Sequence, residues 1–194
     1  MKICLFGASS SITGESYIKK VEELGELLAK RGHELIFGAG ANGLMGAAAR
    51  GFKAGGGRLT GIVPSFFTSE VPAVLFQDCD EIIYTKTMAE RKSLMEDKAD
   101  AFITVPGGIG TMEEFFEVLT LKQLGRHAKA IVIYNVNGYF DKLIDMLHTS
   151  VEEGFLNKYC LRFLEITDDP EEAALYLEHY DPSAFDPDVA GYRF

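Results

Sequence analysis

Ala101-Phe102-Ile103-Thr104-Val105-Pro106-Gly107-Gly108-Ile109-Gly110-Thr111-Met112-Glu113-Glu114 passes from an apolar run through a glycine-rich turn straight into a helical pattern that continues to Leu124. A strand that feeds a helix through such a turn leaves backbone N–H groups unpaired at the helix N-terminus, where the dipole also favours an anion. Two carboxylates, Glu113 and Glu114, fall in the first helical turn. They would repel a phosphate, so a site built only to hold phosphate would not place them there. A phosphate cradle beside a placed carboxylate suits a site that holds a phosphate and acts on what the phosphate is attached to. The same letters have a second reading. Thr111 and Glu114 have capping-box spacing, in which the threonine caps the helix and the glutamate bonds back to the cap. The segment alone leaves both readings open.

Outward from this segment, apolar strand runs alternate with amphipathic helical stretches almost without interruption. The patterns predict strands at 2–7, 33–38, 58–63, 80–84, 101–105, 129–134 and 161–166, and helices at 15–31, 43–54, 87–98, 111–124, 139–153 and 170–179. Ala130-Ile131-Val132-Ile133-Tyr134 is apolar throughout, as expected of a strand covered on both faces. The alternation predicts an α/β chain: a Rossmann-like, doubly wound parallel sheet with helices on both faces. Ligands of such sheets bind at the carboxyl ends of the strands, where the glycine turns after 33–38 and 101–105 fall. Residues 1–180 read as one nucleotide-binding domain and 181–194 as an extended tail that docks through Tyr192 and Phe194. Residues 64–78 break the alternation with two prolines and three phenylalanines. Exposed phenylalanines are costly, so this segment is expected to cover part of a pocket or a subunit contact.

Composition narrows the partners. A chain of 194 residues, 47% hydrophobic, can bury one sizeable core but not two. A net charge of −10 argues against nucleic acid and anionic membrane, and a phosphorylated small molecule would need a local positive pocket. Cys4, Cys79 and Cys160 are odd in number and far apart, which fits reduced thiols in a cytoplasmic setting. The first residues read as a strand rather than a signal peptide, and no run is long enough to span a bilayer. His33, His127, His148 and His179 show no ligand spacing, so no metal is expected, and no cofactor.

Gly38-Ala39-Gly40-Ala41-Asn42-Gly43 fits the dinucleotide fingerprint, but it follows the second strand, and the next strand, 58–63, carries no acid for a ribose. A nicotinamide dinucleotide site is therefore rejected. The turn serves close helix packing and forms a backbone wall for a smaller ligand. Gly7-Ala8-Ser9-Ser10-Ser11 could contact a nucleotide or merely cap the next helix. A cation is supplied by Met88-Ala89-Glu90-Arg91-Lys92, at the start of the helix after the fourth strand. Arg91 shares a helix face with Met88 and Met95, and an arginine on an apolar face is costly unless paired.

Five elements together carry a resemblance. Along the chain they are Gly38 to Gly46; Met88 to Lys92; Pro106 to Glu114, with the pattern PGGxGTxxE; Leu119 to Gly125; and Asn137 to Asp141. In this order, over about residues 1–180, the chain resembles the LOG (Lonely Guy) family. The resemblance implies an enzyme without cofactor that cleaves the N-glycosidic bond of cytokinin riboside (adenosine-type) 5′-monophosphates to the free base and ribose 5-phosphate. It implies that Arg91 and Glu114 are catalytic. It implies that Met88, Arg91, Lys92, Gly107, Gly108, Ile109, Gly110, Thr111, Glu113 and Thr120 bind substrate, and that the protein is at least a homodimer. Three positions depart from the family pattern: Ala39 for a glycine, Ile109 for an aromatic and Leu121 for a tryptophan. The family has also carried the label lysine decarboxylase, but no lysine here is marked to hold a pyridoxal Schiff base. The alternative is a non-catalytic nucleotide or molybdopterin-cofactor carrier on the same fold, which would not need an Arg91–Glu114 pair.

Overall fold

The computed structural model describes residues 1–10, 14–69 and 74–186. Its strands are β1 (Lys2–Phe6), β2 (Glu34–Phe37), β3 (Leu59–Pro64), β4 (Glu81–Thr85), β5 (Ala101–Thr104), β6 (Ala130–Tyr134) and β7 (Glu165–Thr167). They form one sheet in the order β4-β3-β2-β1-β5-β6-β7, with every pairing parallel. The helices are α1 (Glu15–Lys30), α2 (Gly43–Ala54), the short α3 (Phe66–Ser69), α4 (Met88–Lys98), α5 (Ile109–Gln123), α6 (Asp141–Glu152) and α7 (Pro170–His179).

Both faces of the central sheet are covered, which is why β5 and β6 are buried at every position rather than alternately. Ile3 and Leu5 point into one core with α1, α2 and α7, through Val21, Leu28, Ala47, Phe52 and Leu177. Cys4 and Phe6 point into the other with α4, α5 and α6, through Met95, Phe115, Val118 and the partly buried Leu143 and Ile144. The α/β, doubly wound Rossmann-like expectation holds.

The strand order reverses between β1 and β5. The loops after those two strands leave in opposite directions and open a crevice at the carboxyl edge. Its floor is tied together by the backbone: the Val105 N–H donates to the Phe6 carbonyl at 2.9 Å and the Ala8 N–H to the Pro106 carbonyl at 3.0 Å. The Ala8 carbonyl in turn accepts from Leu44 and Met45, which draws the N-terminus of α2 to the same edge.

Three boundaries differ from expectation. α5 begins at Ile109, with Gly108 as its cap and no side-chain cap bond, so Thr111 and Glu114 do not form a capping box. α6 begins at Asp141, after a one-turn 3-10 helix at Val136–Gly138. The strand expected at 161–166 is mostly a 3-10 helix, Lys158–Phe163, opened by the Asn157 side chain accepting from Tyr159 N–H; β7 starts only at Glu165. Of the expected extended tail, the described part contains a turn at Pro182–Ala184, and Phe185 stacks edge-on against Phe163. Tyr192 and Phe194 lie outside the described residues.

Candidate active site

The crevice widens into a cleft of about 590 Å³. Gly7, Ala8, Ser9 and Ser10 after β1 line it, with Gly38, Gly40, Asn42 and Met45 around the start of α2. Val63, Pro64, Phe67, Val74 and Leu75 form an apolar wall, and Met88, Arg91, Gly108, Gly110, Thr111, Glu113 and Glu114 close the far side. Of the segment after β3, the described residues Pro64, Phe67, Val74 and Leu75 thus cover part of the pocket. The segment is held there by backbone bonds from Ala41 N–H to the Val74 carbonyl and from Phe76 N–H to the Ala39 carbonyl, both 2.9 Å. Ala39, which departs from the resembled glycine, has φ 59, in the left-handed region where glycine is at ease.

α4 brings Arg91 to the cleft. Thr87 caps this helix by accepting from the Glu90 N–H, while the Glu90 carboxylate accepts from the Lys86 N–H. Side-chain capping is thus found on α4 rather than α5, with Glu90 reaching back one residue beyond the cap. One turn in, Arg91 is 8% exposed and held at two points: Nε donates to the Ile62 carbonyl at 3.2 Å and Nη1 to Glu114 Oε1 at 2.8 Å. Glu114 is 9% exposed. Burial pushes its pKa up, and the Arg91 charge and hydrogen bond pull the other way.

The outer faces of the same helices carry a second bridge. The Lys92 ammonium donates to Glu113 and lies 2.7 Å from Glu117 Oε2. Lys92 does not line the cleft, so its position is that of a clasp between α4 and α5. Arg91, Glu113 and Glu114 are the charged side chains lining the cleft, one cation against two carboxylates. A positive pocket of side chains is not what this site offers. Its attraction for an anion comes from the backbone: among the described residues the N–H groups of Gly108, Ile109, Gly110 and Thr111 have no acceptor, and they sit at the positive end of α5.

The remaining expected residues are placed as follows. Met88, Gly108, Gly110, Thr111 and Glu113 line the cleft. Gly107 lies buried beneath it, where a β-carbon would collide with the Thr111 side chain. Ile109 is 90% exposed and does not line the cleft. Thr120 is exposed further along α5, outside the cleft of its own chain. Sequence reasoning missed three contributors: the Ile62 carbonyl, the space at Gly38 filled by the Arg91 guanidinium, and Tyr139, whose hydroxyl donates to the Gly107 carbonyl at 2.6 Å. Among the described residues no group of three His, Cys, Asp or Glu is placed to hold a metal ion, and no helix is long and apolar enough to cross a membrane.

Residues 45–177 match a protein-family model described as "Possible lysine decarboxylase". No lysine lines the cleft. The fully buried Lys122 instead donates to the carbonyls of Lys129 and Phe163, beneath the Tyr180 ring. A cytokinin riboside 5′-monophosphate phosphoribohydrolase of Arabidopsis thaliana is 35% identical over 181 residues, 93% of this chain and 82% of that protein. One of Oryza sativa subsp. japonica is 36% identical over 182 residues, 93% of this chain and 74% of that protein. Among solved structures, the molybdenum cofactor carrier protein of Chlamydomonas reinhardtii superposes with a TM-score of 0.68 at 22% identity, covering 91% of this chain and 95% of that one. That likeness shows the fold alone. The family model matches residues 45–177 and the relatives extend over 93% of the chain, and the chain belongs to the LOG family, that of the cytokinin riboside 5′-monophosphate phosphoribohydrolases.

Proposed function

We propose that this protein hydrolyses the N-glycosidic bond of adenosine-type, cytokinin riboside 5′-monophosphates. The observation that carries this reading is the buried Arg91–Glu114 pair, 2.8 Å across, in the same cleft as the unpartnered N-terminus of α5. The 5′-phosphate rests on the N–H groups of Gly108 to Thr111, at one end of the ribose. C1′ then lies toward Glu114. As the C1′–N bond breaks, its electron pair leaves with the base, which takes up a proton from solvent, and positive charge builds on the ribose. The Glu114 carboxylate stabilises that charge and takes a proton from the water whose oxygen bonds to C1′. Burial makes Glu114 a stronger base than an exposed carboxylate. Arg91, fixed by Ile62, orients it. Ribose 5-phosphate and the free base are the products, and no metal or cofactor enters the scheme. The apolar wall of Val63, Phe67, Val74 and Leu75 suits a base with an apolar substituent.

The deciding assay incubates the protein with adenosine 5′-monophosphate and an N6-prenylated analogue and measures free base. Release of base supports the hydrolase. Tight binding without release would favour a nucleotide or molybdopterin carrier; the structural neighbour from Chlamydomonas reinhardtii is named a molybdenum cofactor carrier protein. The substrate is thus a small nucleotide in the cytoplasm, not nucleic acid or membrane. The unit is a homodimer paired through α4 and α5, where Met88 and Phe116 are exposed at 37% and 40%; light scattering tests this.

A further inference from the structure

The turn after β6 reaches back over the turn after β5. Its backbone is unusual: Asn137 and Gly138 both lie in the left-handed region, at φ 55 and 71. Asn and Gly are the residues that enter this region at least cost, and the turn is further fixed by its neighbours. The turn is held by Asn135, whose side-chain oxygen accepts from the Phe140 N–H at 2.7 Å while its amide donates to Asp141 Oδ1 at 2.8 Å. The Asn137 amide donates to Ser16 Oγ at 3.2 Å, which ties the turn to the start of α1. The product of this construction is the direction of Tyr139. Its ring stands edge-on to Tyr17, and its hydroxyl donates to the Gly107 carbonyl at 2.6 Å.

That bond bears on the neighbouring peptide. Among the described residues no peptide bond is cis. In a trans peptide the carbonyl and the following N–H point opposite ways. Fixing the Gly107 carbonyl toward Tyr139 therefore turns the Gly108 N–H the other way, on a residue that lines the cleft and has no side chain to hold it. Glycines flank this peptide on both sides, so little else restrains its rotation.

We infer that Tyr139 is a positioning residue for the anion: it locks the Gly107–Gly108 peptide in the orientation that presents its N–H to the 5′-phosphate. The inference rests on the reaction proposed above only for its substrate. Tyr139 touches no reacting atom, and its effect appears in phosphate affinity.

The test compares full-length parent, Tyr139→Phe and, as a packing control, Tyr17→Phe. The hydroxyl is removed from a ring that is 43% exposed, so Tyr139→Phe should keep the parent's melting temperature. Its KM for adenosine 5′-monophosphate should rise about tenfold, with a smaller change in kcat, as loss of one orienting hydrogen bond implies. Its dissociation constant for ribose 5-phosphate, by titration calorimetry, should rise by the same factor, while that for adenine stays at the parent value. Tyr17→Phe should match the parent. Equal weakening of adenine and ribose 5-phosphate, no weakening of either, or a parent that binds no ribose 5-phosphate would overturn the inference. A parent that binds ribose 5-phosphate but hydrolyses no monophosphate would instead overturn the proposed reaction, and the calorimetry would still decide Tyr139.

Discussion

Gly38 leaves open the space that the Arg91 guanidinium fills: a β-carbon at residue 38 would collide with Nη2. The glycine of the apparent dinucleotide fingerprint is thus explained by an arginine more than fifty positions away. With Nε on the Ile62 carbonyl and Nη1 on Glu114, Arg91 has no freedom to move aside without losing both bonds. Gly38→Ala should therefore lower kcat/KM by about tenfold or more, because it displaces the Arg91 guanidinium while leaving every charged side chain of the cleft chemically intact. Steady-state kinetics check this. Titration of ribose 5-phosphate should show near-parent affinity, since the N-terminus of α5 is untouched.

Glu114→Gln separates the chemical role of this residue from its structural one. The amide oxygen can still accept from Arg91, so the fold should persist. It can neither stabilise a cation nor accept a proton from water, a loss of about 10²–10⁴ in kcat. Arg91→Ala should be as inactive and less stable, because it leaves Glu114 buried without its partner. Parent-like turnover by a folded Glu114→Gln protein would move this chain from the hydrolases to the carriers.

The substrate must carry its phosphate. The side chains of the cleft sum to a negative charge, so the backbone of α5 supplies the attraction and the orientation. Adenosine 5′-monophosphate should be hydrolysed with kcat/KM at least 10²-fold above that of adenosine. Comparable rates for the two, in the same base-release assay, would remove the phosphate from this site.

What the chain disclosed beforehand follows from the range of each interaction. Ala130–Tyr134 could be recognised as a central strand because its burial on both faces is written in consecutive letters. The 3-10 helix at Lys158–Phe163 could not, because it depends on the Asn157 cap and on the distant Lys122 ammonium that takes the Phe163 carbonyl. Thr111 and Glu114 had the spacing of a capping box, yet Glu114 turned to an arginine on another helix, a partner that no local pattern reports. Arg91 and Glu114 were legible as residues and as motifs; the bond between them was not. Gly38 and Tyr139 were not legible at all in their roles, since each acts on a loop that reaches the same sheet edge from a different strand. Lys92 was legible as a cation, but Glu113 and Glu117 take up its charge.

Glu96 offers a test of the electrostatics around α4 that does not involve the reaction. Burial pushes its carboxyl from the ordinary 4.5 up to about 7, and the Glu117 carboxylate adds to the rise, while Lys92 and Lys129 oppose it. Below about pH 4.5 the group is neutral in folded and unfolded chains alike and makes no pH-dependent contribution. Between about 4.5 and 7 the unfolded chain gives up this proton while the folded one keeps it, so stability from this site falls as pH rises, and above 7 the loss is complete. Glu96→Gln is neutral throughout and escapes that loss. It leaves intact the bond from the Lys129 ammonium, which goes to the Glu96 backbone carbonyl. The variant should melt with the parent near pH 4, above it by a margin that widens from pH 5 to 7, and above it by a constant margin at pH 8. Because Glu96 is only half-buried, solvent trims the size of that margin but not its sign. Thermal melts of both proteins across this range check it, and a margin that shrinks as pH rises would mean that Glu96 is held as a carboxylate by Lys92 and Lys129.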